Sequence, residues 1–174
     1  MFDFSIIVWL FLIVFMLHEF EEIIFLKPWV GKNSAYLSKR FPKLTKRFMP
    51  RFENMSIPAF AVAEEFILLS IITISSVLLD NYLLWFGVFM GFFMHLLIHL
   101  AQWLILRKYI PVIYTTIISL VYCLFSLRYI LKENLFQIHE IIIWIFIGFG
   151  IVNLNLLLAH KLAVWFDKKY NKQE

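Results

Sequence analysis

The stretch Ile6-Ile7-Val8-Trp9-Leu10-Phe11-Leu12-Ile13-Val14-Phe15-Met16-Leu17 contains no charged side chain. It runs directly into His18-Glu19-Phe20-Glu21-Glu22 before apolar character resumes at Ile23-Ile24-Phe25-Leu26. Taken together, Ile6 to Leu26 is 21 residues long, more than the roughly 18 needed to cross hydrocarbon. It therefore reads as a membrane-spanning helix, with ionisable residues set inside it.

Four further apolar runs follow the first, which covers residues 3–26. They occupy residues 57–79, 82–106, 110–131 and 138–166. Backbone amides and carbonyls find no water in lipid, so each run must satisfy them internally as a helix. Period-two alternation of the kind a membrane barrel needs is absent. The expected fold is all-α, a polytopic membrane helix bundle of about five transmembrane helices forming one membrane domain over residues 1–174. The fifth run is long for a simple crossing, which implies tilt or an emergent end.

Composition agrees. Of 174 residues, 62% are hydrophobic and only 16% charged, too little polar material to surface a soluble domain. The net charge of +4 is gathered in the connections, a pattern of membrane topology rather than of nucleic-acid binding. Cys123 is the single cysteine, so an intrachain disulfide is excluded. The first run has neither a basic leading segment nor a small-residue cleavage site, so it is expected to stay as a helix.

Residues 27–56 are expected to form a basic loop, with Lys27, Lys32, Lys39, Arg40, Lys43, Lys46, Arg47 and Arg51. Arg107, Lys108 and the terminal Lys168, Lys169 and Lys172 lie on the same side, against Arg128 and Lys132 on the other. Positive charge stays inside, so the loop and the C-terminus are expected in the cytoplasm and the N-terminus outside, in the plasma membrane of a prokaryote. Leu37, Phe41, Leu44 and Phe48 recur among these lysines, so the loop is also a candidate surface for anionic lipid head groups.

The ionisable groups inside the helices carry the functional signal. His18, Glu21 and Glu22 fall at i, i+3 and i+4 and share a helix face. His95 and His99 are i, i+4 partners, with Gln102 on their stripe. Glu64 and Glu65 lie inside the second run, and Asn153 and His160 share a face of the fifth. A carboxylate near the bilayer centre costs about 2.5–3.5 kcal/mol on insertion scales, so the set requires compensation by one another, protons, water or metal. Counting about 1.5 Å per residue from the cytoplasmic helix ends puts His18, Glu21, Glu22, Glu64, Glu65, His95, His99 and His160 at about 6–17 Å depth. Four helices thus converge in one leaflet. The fourth run has no ionisable group in its interior and is expected to be peripheral. Gly87 and Gly91 form a G-x-x-x-G pattern on the stripe leading to His95, where a neighbouring helix can approach.

Imidazoles at i, i+4 with a carboxylate from another helix suffice for a zinc-type site, and such ligands in bundles also hold iron or manganese. The expected ligands of a divalent metal (zinc, iron or manganese) are His18, His95, His99 and His160 with Glu22, or Glu21 in its place. Glu21, Glu22 and Glu65 are the candidate acids and bases. Glu19 is expected to flank the site.

His18-Glu19-Phe20-Glu21-Glu22 and His95-Leu96-Leu97-Ile98-His99 resemble the two main motifs of the HXXEE-motif membrane proteins, and the helix layout extends the resemblance over most of the chain. That family's N-x-x-x-x-x-E element finds a literal match only at Asn134 to Glu140, at the opposite end of the bilayer, so its role stays unassigned. The resemblance implies a motif-bearing site suggestive of an enzyme without naming a reaction. A looser similarity, to intramembrane metalloproteases of the prenyl-protein endopeptidase type, lacks their arginine after the Glu pair.

The leading functional expectation is a membrane-embedded, metal-dependent hydrolase acting on a lipid or lipid-linked substrate at the inner leaflet. The alternatives are a small proton- or ion-coupled transporter using the same Glu and His groups, and a structural or assembly subunit.

Overall fold

The protein, seen in a computed structural model that describes residues 3–48 and 56–170, is a bundle of helices, with no strand among those residues. The helices are α1 (Phe4–Arg40), α2 (Pro42–Phe48), α3 (Ser56–Leu78), α4 (Leu83–Leu106), α5 (Ile113–Lys132) and α6 (Ile138–Tyr170). All but α2 are long and apolar enough to cross a membrane. Large apolar side chains such as Ile13, Ile67, Ile118 and Phe146 stand exposed around the bundle, as a lipid-facing surface requires. The protein is a polytopic membrane helix bundle.

The first helix does not stop at Leu26. It continues through Pro28 to Arg40, so the first part of the expected basic loop is helical, and residues 49–55 lie outside the described ones. Pro28 removes one intrahelical bond, yet tertiary contacts hold the extension in place. Val30 is buried, and Trp29 packs against Ile110, Val112 and Ile113 between α4 and α5. Tyr36 Oη donates to the Leu106 carbonyl at 2.9 Å and Arg40 donates to that of Ile105 at 3.2 Å. The extension therefore supplies donors to the last carbonyls of α4, which have no partner within their own helix.

Helices α1 and α4 run parallel, and their register is written in aromatic rings. Phe4 meets Trp85 edge-on at 5.6 Å, Phe11 meets Phe89 at 5.9 Å, and Phe15 meets Phe92 at 5.8 Å. Continuing one turn at a time, His18 comes to His95 and Glu22 to His99. Periodicity of 3.6 residues on both helices keeps these positions on facing stripes.

Helix α6 packs against α3 and α4. Gly87 and Gly148 bring the α4 and α6 backbones together so closely that a Cβ on Gly148 would collide with the Gly87 carbonyl. A Cβ on Gly91 would lie 2.5 Å from Val152 Cγ2. The G-x-x-x-G stripe thus faces α6.

The fourth run is not peripheral. As α5 it lies antiparallel to α1, burying Thr116, Ser119, Cys123 and Ser126, and Tyr122 Oη donates to the Ile7 carbonyl at 2.8 Å. Small and hydroxyl side chains allow this close approach without any ionisable group. Its most apolar span is 33% buried, against 6% for α6, which makes α6 the more lipid-exposed helix.

Candidate metal centre

His18 and Glu22 are i, i+4 partners on α1, and His95 and His99 are i, i+4 partners on α4. The parallel register sets the two pairs face to face. One ligand atom from each of the four lies within 4.8 Å of every other. His95 Nε2 and His99 Nε2 are 2.9 Å apart, and His99 Nε2 is 3.6 Å from Glu22 Oε2. Metal–nitrogen bonds of about 2.0–2.1 Å in a tetrahedron put ligand atoms about 3.3 Å apart, so the donors are gathered on the right scale.

The outer partners of two imidazoles are in place. His18 is fully buried; its Nδ1 is 3.1 Å from Thr115 Oγ1, while its Nε2 is buried without a hydrogen-bond partner. A buried polar atom in this condition normally costs stability and calls for an explanation. With Nδ1 engaged by Thr115, Nε2 is the ring nitrogen free to serve the cluster, where a cation would satisfy it. His99 Nδ1 lies 3.0 Å from Gln102 Oε1. With Nδ1 donating to that oxygen, the Nε2 lone pair turns towards His95 and Glu22.

Beside the cluster lies a cavity of about 320 Å³ between α1, α3, α4 and α6. Its far wall is apolar, with Phe11, Leu69 and Val88 among its residues, and Glu19, Glu22, Glu65, His95 and Asn155 supply its polar lining. An apolar pocket with a few convergent polar groups is the usual form of a small-molecule site.

His18, Glu22, His95 and His99 therefore come together. Glu65 reaches the same cavity from α3, whereas its neighbour Glu64 accepts from Asn155 Nδ2 at 3.0 Å. Glu21, expected among the ligands or bases, lies instead with α5, where its Oε2 accepts from Thr115 N at 2.9 Å and from Thr115 Oγ1 at 2.6 Å. The angular step of about 100° per residue on a helix separates it from Glu22. The side chain of His160 lies outside the described residues. In the turn between α4 and α5, desolvation raises the Tyr109 phenol from its ordinary value, with the Glu21 charge adding to the effect.

Two residues of the site were not foreseen from sequence. Glu19 was expected to flank it but is buried, lines the cavity and approaches His95 Nε2 to 3.9 Å. Its i, i+3 relation to Glu22 was a usable signal. Thr115 had none, because nothing local distinguishes a threonine that meets another helix 94 residues away in sequence.

Fold and site together define a polytopic membrane protein with a half-buried His and Glu cluster beside an apolar cavity. The chain belongs to the family described as a protein of unknown function with HXXEE motif, whose model matches residues 9–129. The match contains His18 to Glu22, Glu65, His95, His99 and Thr115, and it ends before α6. No curated protein and no solved structure matches the chain.

Proposed function

We propose that the protein is a membrane-embedded, metal-dependent hydrolase acting on a lipid or lipid-linked substrate. The observation that carries this reading is the convergence of four ligand groups, among them His18 with its buried, unpartnered Nε2, at the edge of an apolar cavity. His18, His95, His99 and Glu22 would hold a divalent ion, zinc, iron or manganese, all of which accept imidazole ligation and an additional water or substrate oxygen. The bound ion would supply acidification of a water and polarisation of an ester or phosphoryl oxygen.

The rest falls to the protein's carboxylates. Glu19, on the cavity wall beside His95, takes the proton of the attacking water as its oxygen bonds to the substrate's electrophilic centre. Glu65, on the facing wall, acts as the acid and gives its own proton to the departing oxygen as the bond from that oxygen to the electrophilic centre breaks. The apolar far wall takes the hydrocarbon part of the substrate and leaves the scissile bond at the polar lining. A transport path would need polar groups to continue along the cavity, and Phe11, Leu69 and Val88 support hydrocarbon there instead.

The excess of Lys and Arg at the end of the bundle where α4 ends and α5 begins supports a cytoplasmic location for that end, with the N-terminus outside. The site then opens near the inner leaflet of a prokaryotic plasma membrane, and the basic residues of the α1 extension favour anionic head groups nearby.

Elemental analysis of detergent-purified protein tests the proposal. About one equivalent of zinc, iron or manganese per chain, lost in a folded His95→Ala/His99→Ala variant, is the expected result. A well-folded wild type that stays metal-free after incubation with each ion would overturn it.

A further inference from the structure

The polar group left over by this mechanism is Glu21, together with the threonine it holds. Helix α5 begins at Ile113 after Val112, a buried β-branched residue at φ 79°. That conformation is a genuine outlier for valine and is sustained only by its surroundings. Val112 has no side chain to cap the helix, so the N–H of Thr115 in the first turn needs an acceptor from elsewhere. Glu21 Oε2 on α1 provides it at 2.9 Å, and as an anion at a helix N-terminus it is favourably placed.

The same carboxylate oxygen accepts the Thr115 hydroxyl proton at 2.6 Å, much the shortest contact among its three possible acceptors, the others being His18 Nδ1 at 3.1 Å and the Val112 carbonyl at 3.2 Å. A hydroxyl has one proton. With that proton on the short bond to Glu21, Thr115 Oγ1 can only accept from His18 Nδ1, 3.1 Å away. His18 Nδ1 then carries the hydrogen, and in the neutral ring Nε2 is left with its lone pair. That nitrogen is the one with no hydrogen-bond partner, on the residue that joins His95, His99 and Glu22 in the cluster.

We infer that Thr115 is a positioning residue, whose hydroxyl, held by Glu21, fixes His18 in the tautomer and ring orientation that present Nε2 as a metal ligand. The inference rests on the metal-centre reading above. It makes α5 part of the site although it contributes no ligand. The chain Glu21–Thr115–His18 is a carboxylate–histidine support extended by one hydroxyl. It also explains why Glu21 and Glu22, adjacent in the motif, have different tasks: Glu22 acts at the cluster and Glu21 behind it.

The test compares wild type with Thr115→Val, which keeps the backbone bond to Glu21 and the branched shape but removes the hydroxyl, and with Thr115→Ser, which keeps the hydroxyl. Zinc affinity is measured by chelator competition on each purified protein. Thr115→Val is expected to bind zinc about 10- to 100-fold more weakly, and Thr115→Ser to remain close to wild type. Wild type and Thr115→Val binding zinc equally well would overturn the inference while leaving the metal centre intact. Wild type binding no zinc, iron or manganese would overturn both.

A second measurement needs no metal. Nitrogen-15 spectra of histidine-labelled metal-free protein, with His18 assigned by its loss in His18→Gln, are expected to show His18 protonated on Nδ1 in wild type and in Thr115→Ser. In Thr115→Val that preference is expected to be lost. His18 protonated on Nε2 in wild type would refute the inference, and so would an unchanged spectrum in Thr115→Val.

Discussion

Helices α1 and α4 meet along one register, but the two ends of that contact are built from different material. Towards Phe4 the facing positions are rings, Phe4 against Trp85 and Phe11 against Phe89, with Trp85 stacked on Phe89 along α4 at 5.1 Å. Beyond Phe15 and Phe92 the same turns present His18, Glu22, His95 and His99. Since the helix geometry is continuous, the difference lies in what the side chains do on meeting. The aromatic end gains dispersion contacts and excludes everything else. The polar end gathers lone pairs that need a partner and leaves a cavity beside them. A rigid, close-packed contact thereby holds a flexible chemistry in place, as precise sites generally require.

Disturbing the aromatic end should affect folding far more than the site's chemistry. Trp85 is fully buried, and Trp85→Ala is expected to destabilise the protein by about 3–5 kcal/mol. Thermal unfolding in detergent would show this, while metal stoichiometry below the midpoint stays at the wild-type value. Stoichiometry falling with stability would mean that the two ends are not separable.

A smaller loss is expected at the α4–α6 contact. Gly148→Ala forces the backbones apart at Gly87, an overpacking cost of about 1–3 kcal/mol. Because α6 also carries Asn155 on the cavity wall, the cavity should change shape and lipid turnover fall more than metal affinity does. Unfolding curves beside zinc titrations of the same variant would separate the two effects.

The smallest effect on stability belongs to the polar end. Glu19→Gln replaces a buried carboxylate by a neutral group of the same shape, so stability should be unchanged or slightly higher. Under the proposed function, metal binding should survive, whereas turnover of an ester-linked lipid should fall by about 10²- to 10⁴-fold with loss of the proposed base. Full turnover in Glu19→Gln would transfer the role of base to Glu65.

Much of this comparison was visible in the sequence. Five apolar runs gave the membrane bundle, and the i, i+4 spacing of His95 and His99 and of His18 and Glu22 pointed to shared faces. The first helix was cut short at Leu26 because Lys27-Pro28 has the composition of a loop. Its continuation depends on Trp29, Val30 and Tyr36 finding α4 and α5, contacts that no local pattern records. Likewise α5 looked peripheral for want of an ionisable group, although a threonine hydroxyl and a backbone N–H were all it needed to reach Glu21.

Hydrophobicity and helical period are properties of the chain, and they were enough to decide that it crosses a membrane and which residues share a face. Which faces meet depends on packing between segments far apart in sequence. The pairing of α1 with α4, the separation of Glu21 from Glu22, the place of Glu19 and the part played by Thr115 were therefore decided only when the helices came together. The physical reason is that a helix face spreads adjacent residues by about 100°, so neighbours in the motif can serve different helices.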